Sequence, residues 1–221
     1  MDLWEIERDL LAKGHATICG VDEAGRGPLA GPVFAAAVIL PFGIEITGLN
    51  DSKKLSEKVR EKLYYEIIES ALAYGVASAD NTEIDSLNIL NATFLAMSRA
   101  VELLTIKPDI ALIDGNRVRG VNVCCKCIVG GDGKSASIAA ASILAKVSRD
   151  RVMVEMAGKY PEYGFEKHKG YGTKLHYEKL HEYGSCDIHR ATFLKGRAGG
   201  DRFGCKRARE NGRDARTGVS E

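Results

Sequence analysis

The chain has 221 residues, of which 45% are hydrophobic and 28% are charged. This length and composition are ordinary for a globular protein with a sizeable core, and they exclude a disordered chain, a collagen-like fibre and a disulfide miniprotein. The charge is unevenly placed: residues 1–132 carry 13 basic and 19 acidic residues, net −6, whereas residues 133–221 carry 18 and 11, net +7. The basic C-terminal half permits a polyanionic partner.

The sequence contains no apolar run near the roughly 18 residues that a membrane span needs. Its first residues lack the positive and apolar regions of a secretory signal. We therefore expect a cytoplasmic protein without a membrane partner, whose six cysteines are reduced.

Hydrophobic periodicity and turn residues predict alternating helices and strands. In chain order they are a helix over 3–13, strands over 16–22 and 33–40, a helix capped by Ser56 and running to about residue 74, a strand over 76–79, a helix over 83–104, strands over 110–113 and 121–129, and helices over 135–156, 174–183 and 188–194. This order predicts an α/β fold with a mixed sheet covered by helices. The first half of the helix over 135–156 is mostly Ala and Ser, side chains small enough for close packing on a sheet.

Carboxylates follow the ends of the predicted strands. Asp22 and Glu23 end the first strand, Asp114 ends a later one, and Asp132 follows the last. Sites in α/β sheets gather at the carboxyl ends of strands, and acids brought together there repel one another unless a cation lies between them. Oxygen ligands select Mg²⁺ or Mn²⁺, and two such ions can promote in-line displacement at phosphorus. The alternative for each acid is a structural role, as a turn former or helix cap.

Five blocks of the sequence resemble ribonuclease HII, the type 2 ribonuclease H family. They are residues 20–28 (GVDEAGRGP), 49–55 (LNDSKKL), 113–116 (IDGN), 140–147 (AASILAKV) and 168–172 (HKGYG). The resemblance implies a ribonuclease H-like fold, with a mixed five-stranded sheet flanked by helices and with C-terminal helices. It also implies endonucleolytic cleavage of the RNA strand of RNA–DNA hybrids and incision 5′ of single ribonucleotides in duplex DNA, leaving 3′-hydroxyl and 5′-phosphate ends.

The same resemblance implies the site residues. Asp22, Glu23, Asp114 and Asp132 would be catalytic and would bind two Mg²⁺ or Mn²⁺ ions. Residues 25–27 match the segment that reads the RNA-to-DNA junction, and Tyr171 matches the aromatic residue that stacks on the sugar there. The substrate-binding candidates are Gly25, Arg26, Gly27 and Tyr171, together with five candidate phosphate contacts, for which the alternative is ordinary surface charge: Lys53, Lys146, Arg149, His168 and Lys169. One departure is Gly130, where the family often has lysine.

The predicted organisation has three parts: an N-terminal helix over 1–15, a type 2 ribonuclease H catalytic domain over 16–196, and a basic disordered tail over 197–221. The partners expected from the resemblance are RNA–DNA hybrid duplexes and DNA that contains ribonucleotides. No obligate protein partner is evident.

Three alternatives have weaker support. The stretch Gly133-Lys134-Ser135 suggests a P-loop, but Ile128 stands where that motif needs glycine. Zinc is a second alternative, with the ligands Cys124, Cys125, Cys127, Cys186 and His189. Adjacent cysteines are poorly spaced ligands, so we favour buried thiols. The third alternative is a non-catalytic hybrid-binding module, which would not need four acids at strand ends.

Overall fold

A mixed five-stranded sheet forms the centre of the protein in the computed structural model, which describes residues 2–49 and 55–195. Its strands are β1 (Ile18–Ala24), β2 (Val33–Ile39), β3 (Ala73–Ala79), β4 (Ile110–Asp114) and β5 (Cys124–Ile128). Their order is β3-β2-β1-β4-β5, antiparallel from β3 to β1 and parallel from β1 to β5. The prediction of a mixed α/β sheet is therefore confirmed.

Helices cover both faces of this sheet. They are α1 (Glu5–Ala12), α2 (Glu57–Ser70), α3 (Asn81–Leu87), α4 (Ile89–Glu102), α5 (Ala136–Lys159), α6 (Phe165–His168), α7 (Lys174–Tyr183) and α8 (Ala191–Leu194). Alternation along β2 divides the core: Ala35 and Ala37 cluster with α4, whereas Ala36 and Val38 cluster with α2 and α5. Within the described ranges, no helix combines the length and apolarity needed to cross a membrane.

The N-terminal helix α1 is tied to the start of α5. Ala136 N–H donates to the Leu3 carbonyl at 2.9 Å. The Glu7 carboxylate accepts from the Ser135 hydroxyl at 2.6 Å and from Ser137 N–H at 3.1 Å. These contacts satisfy backbone groups of the first turn of α5 that have no partner within the helix.

Helix α2 ends earlier than the sequence predicts. It stops at Ser70, and β3 begins at Ala73, so Gly75 lies inside a strand and does not end a helix. The physical reason is tertiary, because a Cβ on Gly75 would come within 2.2 Å of the Ala100 carbonyl oxygen on α4. Glycine here permits the close approach of helix and strand.

The single helix predicted over 83–104 is wrong, because the structure has two helices that meet at Asn88. Asn88 adopts a φ of +66°, outside the helical region. Its side chain accepts from Leu90 N–H at 3.0 Å and Asn91 N–H at 3.2 Å, which caps the start of α4. The apolar periodicity continues across Asn88, so the sequence pattern does not indicate that the helix ends there.

The prediction of buried thiols on β5 is also wrong, since Cys124 and Cys127 are exposed and Cys125 is half-buried. β5 is an edge strand of the sheet, so it has a neighbouring strand, β4, on one side only. Each of the five cysteines that the structure describes is a free thiol. Lys53 and the predicted tail over 197–221 lie outside the described residues, and the predicted three-part division of the chain stays a prediction.

Candidate active site

The sheet brings Asp22 and Asp114 together at the ends of two neighbouring strands. β1 and β4 are parallel, and Val21 pairs with Ile113. One residue further along each strand, Asp22 and Asp114 therefore stand side by side at the carboxyl edge, where α/β folds build their sites. Asp22 is buried, with 4% of its surface exposed.

Helix α5 forms the floor beneath Asp22. Gly20 makes this possible, because a Cβ there would lie 2.0 Å from the carbonyl carbon of Ser137. The small residues of α5 are buried against the sheet, as their composition predicts. The Ser142 hydroxyl, from the same helix, hydrogen-bonds to the Asp22 carboxylate. The helix thus both supports and orients this acid.

Asp132 reaches the same edge through the turn that precedes α5. Gly131 N–H donates to Asp114 Oδ1 at 2.7 Å, which fixes the adjacent Asp132 close to the end of β4. Asp132 lies in a short 3₁₀ turn and is 8% exposed. Gly130, the departure from the family pattern, has a φ of +65°, a conformation that glycine adopts without strain.

Glu23 lies beside Asp22 but faces a different neighbour. Its carboxylate is 3.2 Å from the Arg26 guanidinium. Its backbone N–H donates to Asp22 Oδ1 at 2.7 Å. Glu23 therefore links the acidic edge, formed by Asp22, Asp114 and Asp132, to the glycine-rich loop of residues 25–31 that follows β1.

The crowding of these acids is electrostatically unfavourable. Burial raises the pKa of Asp22 well above its usual range, and the charges of Glu23 and Asp114 add to that effect. In residues 2–49 and 55–195, no three His, Cys, Asp or Glu side chains already form a metal-binding group. The donor set nonetheless fits a hard divalent cation, because it offers only oxygen and its repulsion would be relieved by positive charge. The metal-binding and catalytic roles of Asp22, Glu23, Asp114 and Asp132 stay predictions.

The glycine-rich loop and Tyr171 lie next to each other. A Cβ on Gly27 would be 3.7 Å from Cε1 of the Tyr171 ring. Leu29 N–H donates to the Gly170 carbonyl at 2.8 Å, which joins the two segments. Tyr171 is 43% exposed, so its ring is available to a ligand. The structure thus gathers the residues for which the family resemblance implies junction reading.

The basic candidates differ in their exposure and in the partners that they already have within the protein. Lys146 pairs with Asp150 at 2.6 Å, and Lys169 donates to the Glu166 carbonyl at 2.6 Å. Both ring nitrogens of His168 have partners inside the protein, and the residue is 8% exposed. The proposed phosphate contacts of Lys146, His168 and Lys169 stay predictions.

Two buried arginines hold the substrate-side loops together. Arg149 is 1% exposed and donates to the carbonyls of Ala30, Pro32 and Lys169. This places it inside the protein, although the sequence suggested a surface contact with phosphate. Arg190, which the sequence analysis missed, makes similar contacts. Sequence alone gave no signal for either role, since a buried arginine and a solvated one have the same local pattern.

Comparisons with known proteins agree with this arrangement. Residues 19–195 match the family model of ribonuclease HII. The ribonuclease HII of Caldicellulosiruptor bescii is 60% identical over 87% of this chain and 93% of its own length. The ribonuclease H2 structure from Pyrococcus horikoshii OT3 has a TM-score of 0.68 and 29% identity, covering 80% of this chain and 93% of that one. The ribonuclease HII of Archaeoglobus fulgidus, solved in a complex with PCNA, has a TM-score of 0.64 and 28% identity, covering 76% and 88%. The predicted ribonuclease H-like fold is confirmed.

Proposed function

The chain belongs to the ribonuclease HII family, whose members are endonucleases that hydrolyse RNA in RNA–DNA hybrids, and we propose that it also incises 5′ of single ribonucleotides in duplex DNA. The observation that carries this proposal is the position of Asp22 and Asp114 at adjacent strand ends. The loop that begins after β1 contains Gly27, which lies against the Tyr171 ring. The two acids thus lie near the segments for which we propose recognition of the ribonucleotide.

Four acids are proposed to hold the divalent ions. They are Asp22, Glu23, Asp114 and Asp132. Bound Mg²⁺ or Mn²⁺ would supply Lewis acidity at the scissile phosphate, as in two-metal sites. The chain's own contribution is to orient the ligands: Ser142 holds the Asp22 carboxylate, and Gly131 N–H holds that of Asp114.

Recognition of the ribonucleotide is proposed for the glycine-rich loop and Tyr171. Glycine allows backbone N–H groups to approach a ribose closely, and the 2′-hydroxyl is the group that distinguishes RNA from DNA at one position. The exposed Tyr171 ring offers a flat apolar surface for the sugar at the junction. Lys146 and Lys169 are proposed to contact backbone phosphates.

The decisive experiment uses three labelled duplexes: a long RNA–DNA hybrid, a DNA duplex with one ribonucleotide, and the same duplex made only of DNA. Each is incubated with Mg²⁺, Mn²⁺ or EDTA. We expect metal-dependent cleavage of the first two, with 3′-hydroxyl and 5′-phosphate ends and the second cut 5′ of the ribonucleotide. Cleavage of the long hybrid alone would contradict the single-ribonucleotide proposal. Binding to the duplexes with no cleavage of any would instead favour the non-catalytic hybrid-binding module.

The remaining proposals concern partners, location and organisation. The Archaeoglobus fulgidus relative was solved with PCNA, so the prediction that this chain has no obligate protein partner stays a prediction. The same holds for a cytoplasmic location. We also keep the proposal that residues 16–196 form the catalytic domain, preceded by a helix over 1–15 and followed by a basic tail over 197–221.

A further inference from the structure

Arg190 is a buried arginine whose guanidinium is surrounded by the carbonyl groups of the glycine-rich loop. It donates from Nη2 to Gly25 at 2.6 Å, from Nη1 to Arg26 at 3.0 Å and to Pro28 at 2.7 Å, and from Nε to Gly31 at 2.9 Å. Its exposure is 0%. A single side chain therefore fixes four carbonyls within seven consecutive residues, residues 25–31.

These bonds determine where the opposite sides of the peptide units point. In a trans peptide the C=O and N–H groups face opposite directions. With the carbonyls turned toward Arg190, the N–H groups of Arg26 and Gly27 point away from it. Leu29 follows this geometry, since the Pro28 carbonyl faces Arg190 and the Leu29 N–H donates to the Gly170 carbonyl at 2.8 Å.

The N–H groups of Arg26 and Gly27 are left without an acceptor among the described residues. Both residues are exposed, and a Cβ on Gly27 would be 3.7 Å from Cε1 of the exposed Tyr171 ring. Exposed backbone donors that a buried side chain holds in one orientation are suited to bind a hydroxyl oxygen with little further ordering.

We propose that Arg190 is a positioning residue for recognition of the ribonucleotide: it turns the carbonyls of the glycine-rich loop inward, so that the N–H groups of Arg26 and Gly27 face the 2′-hydroxyl. The inference rests on the proposed function of that loop and names the residue that organises it. Arg190 acts through the loop and touches no reacting atom.

The surroundings of Arg190 keep the guanidinium in place. Its own N–H donates to the Leu29 carbonyl at 2.9 Å. The Asp85 carboxylate accepts from Ala191 N–H at 2.8 Å and Thr192 N–H at 2.9 Å, which anchors the following turn to α3. Lysine could not replace this residue, because its ammonium has three donors at one point and lacks the planar fork of five that arginine provides.

The test is carried out in the full-length Asp114→Asn protein, in which we expect substrate to bind without being cut. Its affinity is measured for a DNA duplex with one ribonucleotide and for the same duplex made only of DNA. The ratio of the two affinities reports recognition of the 2′-hydroxyl and is insensitive to a general loss of folded protein. We expect Arg190→Lys to reduce this ratio about tenfold, while affinity for the all-DNA duplex changes less than about twofold.

Two further variants keep the test decisive. Leu10→Ala removes a buried side chain of α1 that clusters with Ile18 and Ile110 at the start of β1 and β4, away from the glycine-rich loop, so it should lower stability and leave the ratio unchanged. Asp85→Ala loosens the turn after Arg190 from the protein surface, and we expect it to reduce the ratio about threefold even if Arg190→Lys does not fold.

The outcomes separate this inference from the proposed function. If folded Arg190→Lys keeps the full preference for the ribonucleotide, the role of Arg190 is overturned, while ribose recognition by the loop is not. If Arg190→Lys does not fold, the same result in Asp85→Ala leads to the same conclusion. An equal fall of the affinity ratio in Leu10→Ala would reduce Arg190 to a general structural role and also overturn the inference. The absence of any preference in the Asp114→Asn protein itself would overturn ribose reading and, with it, the role of Arg190.

Discussion

Gly20 on β1 lies directly against the backbone of Ser137 on α5, and a Cβ at position 20 would come within 2.0 Å of the Ser137 carbonyl carbon. The obstacle is main chain, which cannot rotate away as a side-chain tip could. The approach matters for the site because the same helix presents Ser142 to Asp22. The position of the acidic edge thus depends on residue 20 having no Cβ.

We expect Gly20→Ala to lower the free energy of unfolding by about 3 kcal/mol, because β1 and α5 must separate to admit the methyl group. The folded variant should also cleave more slowly, since Ser142 moves away from Asp22. Urea unfolding and single-turnover cleavage measure the two effects. The control is Gly158→Ala on α5, where a Cβ meets nothing within 4 Å. Equal stability of Gly20→Ala and the unchanged protein would contradict the close approach.

The sequence predicts the acidic edge well because its cause is local. An acid at the end of an apolar run is visible in the chain, and the α/β pattern predicts that sites gather at strand ends. The structure adds the parallel pairing of β1 with β4 that brings Asp22 beside Asp114. The Ala and Ser content of α5 likewise predicts its close packing on the sheet. The predicted N-cap at Ser56 is confirmed, since its side chain accepts from Val59 N–H at the start of α2.

Other features were not predictable, because they depend on contacts between distant segments. Gly75 resembles a helix terminator in sequence but serves the approach of β3 to α4. Asn88 interrupts an apolar stripe that is continuous on both sides of it. Arg190 differs from a solvated arginine only through the carbonyls that the fold brings to it, some 160 residues away in the chain.

Asp114→Asn removes a charge while preserving the shape of the side chain. The amide oxygen can still accept from Gly131 N–H, so the turn that carries Asp132 should stay in place. If Asp114 is a metal ligand, we expect cleavage of an RNA–DNA hybrid to fall at least about a hundredfold, with binding nearly unchanged. Single-turnover cleavage and a binding titration test this.

The matched control is Asp109→Asn, at the opposite end of β4. Asp109 accepts from the backbone N–H groups of Ala16 and Thr17, each at 2.8 Å, and therefore has a structural role away from the acidic edge. The Asp109→Asn variant should therefore cleave the RNA–DNA hybrid at the rate of the unchanged protein. Normal turnover by Asp114→Asn would remove Asp114 from the metal site.

Lys146 provides a test of phosphate contact that does not depend on catalysis. In the structure its ammonium pairs with Asp150 at 2.6 Å, and burial lowers the pKa of Lys146. If it contacts a phosphate when substrate binds, Lys146→Ala should weaken binding and reduce the slope of log affinity against log salt by about 0.9. Lys107→Ala, an exposed lysine before β4 at the far end of the sheet, is the control. An unchanged slope in Lys146→Ala would count against the contact.

Three buried histidines stand beneath the Tyr171 loop and should make the protein sensitive to acid. The Nδ1–H group of His176 donates to the Tyr171 carbonyl at 2.9 Å, and its Nε2 is 3.0 Å from that of His189. The ring of His168 stacks on that of His176 at 4.5 Å. Burial lowers the pKa of His176 to about 4 and that of His189 to about 3, the latter with a contribution from His176.

The direction of the pH effect follows from these values. The unfolded chain binds protons at its histidines near pH 6.5, whereas folded His176 does so only near pH 4. The unfolded state therefore binds more protons between these values, and stability that is fully present above about pH 6.5 falls as the pH drops, by on the order of 1 kcal/mol per pH unit for each of His176 and His189. Urea unfolding from about pH 7 to about pH 5 measures this slope. His176→Gln should flatten it, and His181→Gln, an exposed histidine on the same helix, should not. The same slope in both variants and the unchanged protein would show that the buried cluster does not set the acid limit, leaving the carboxylates as its source.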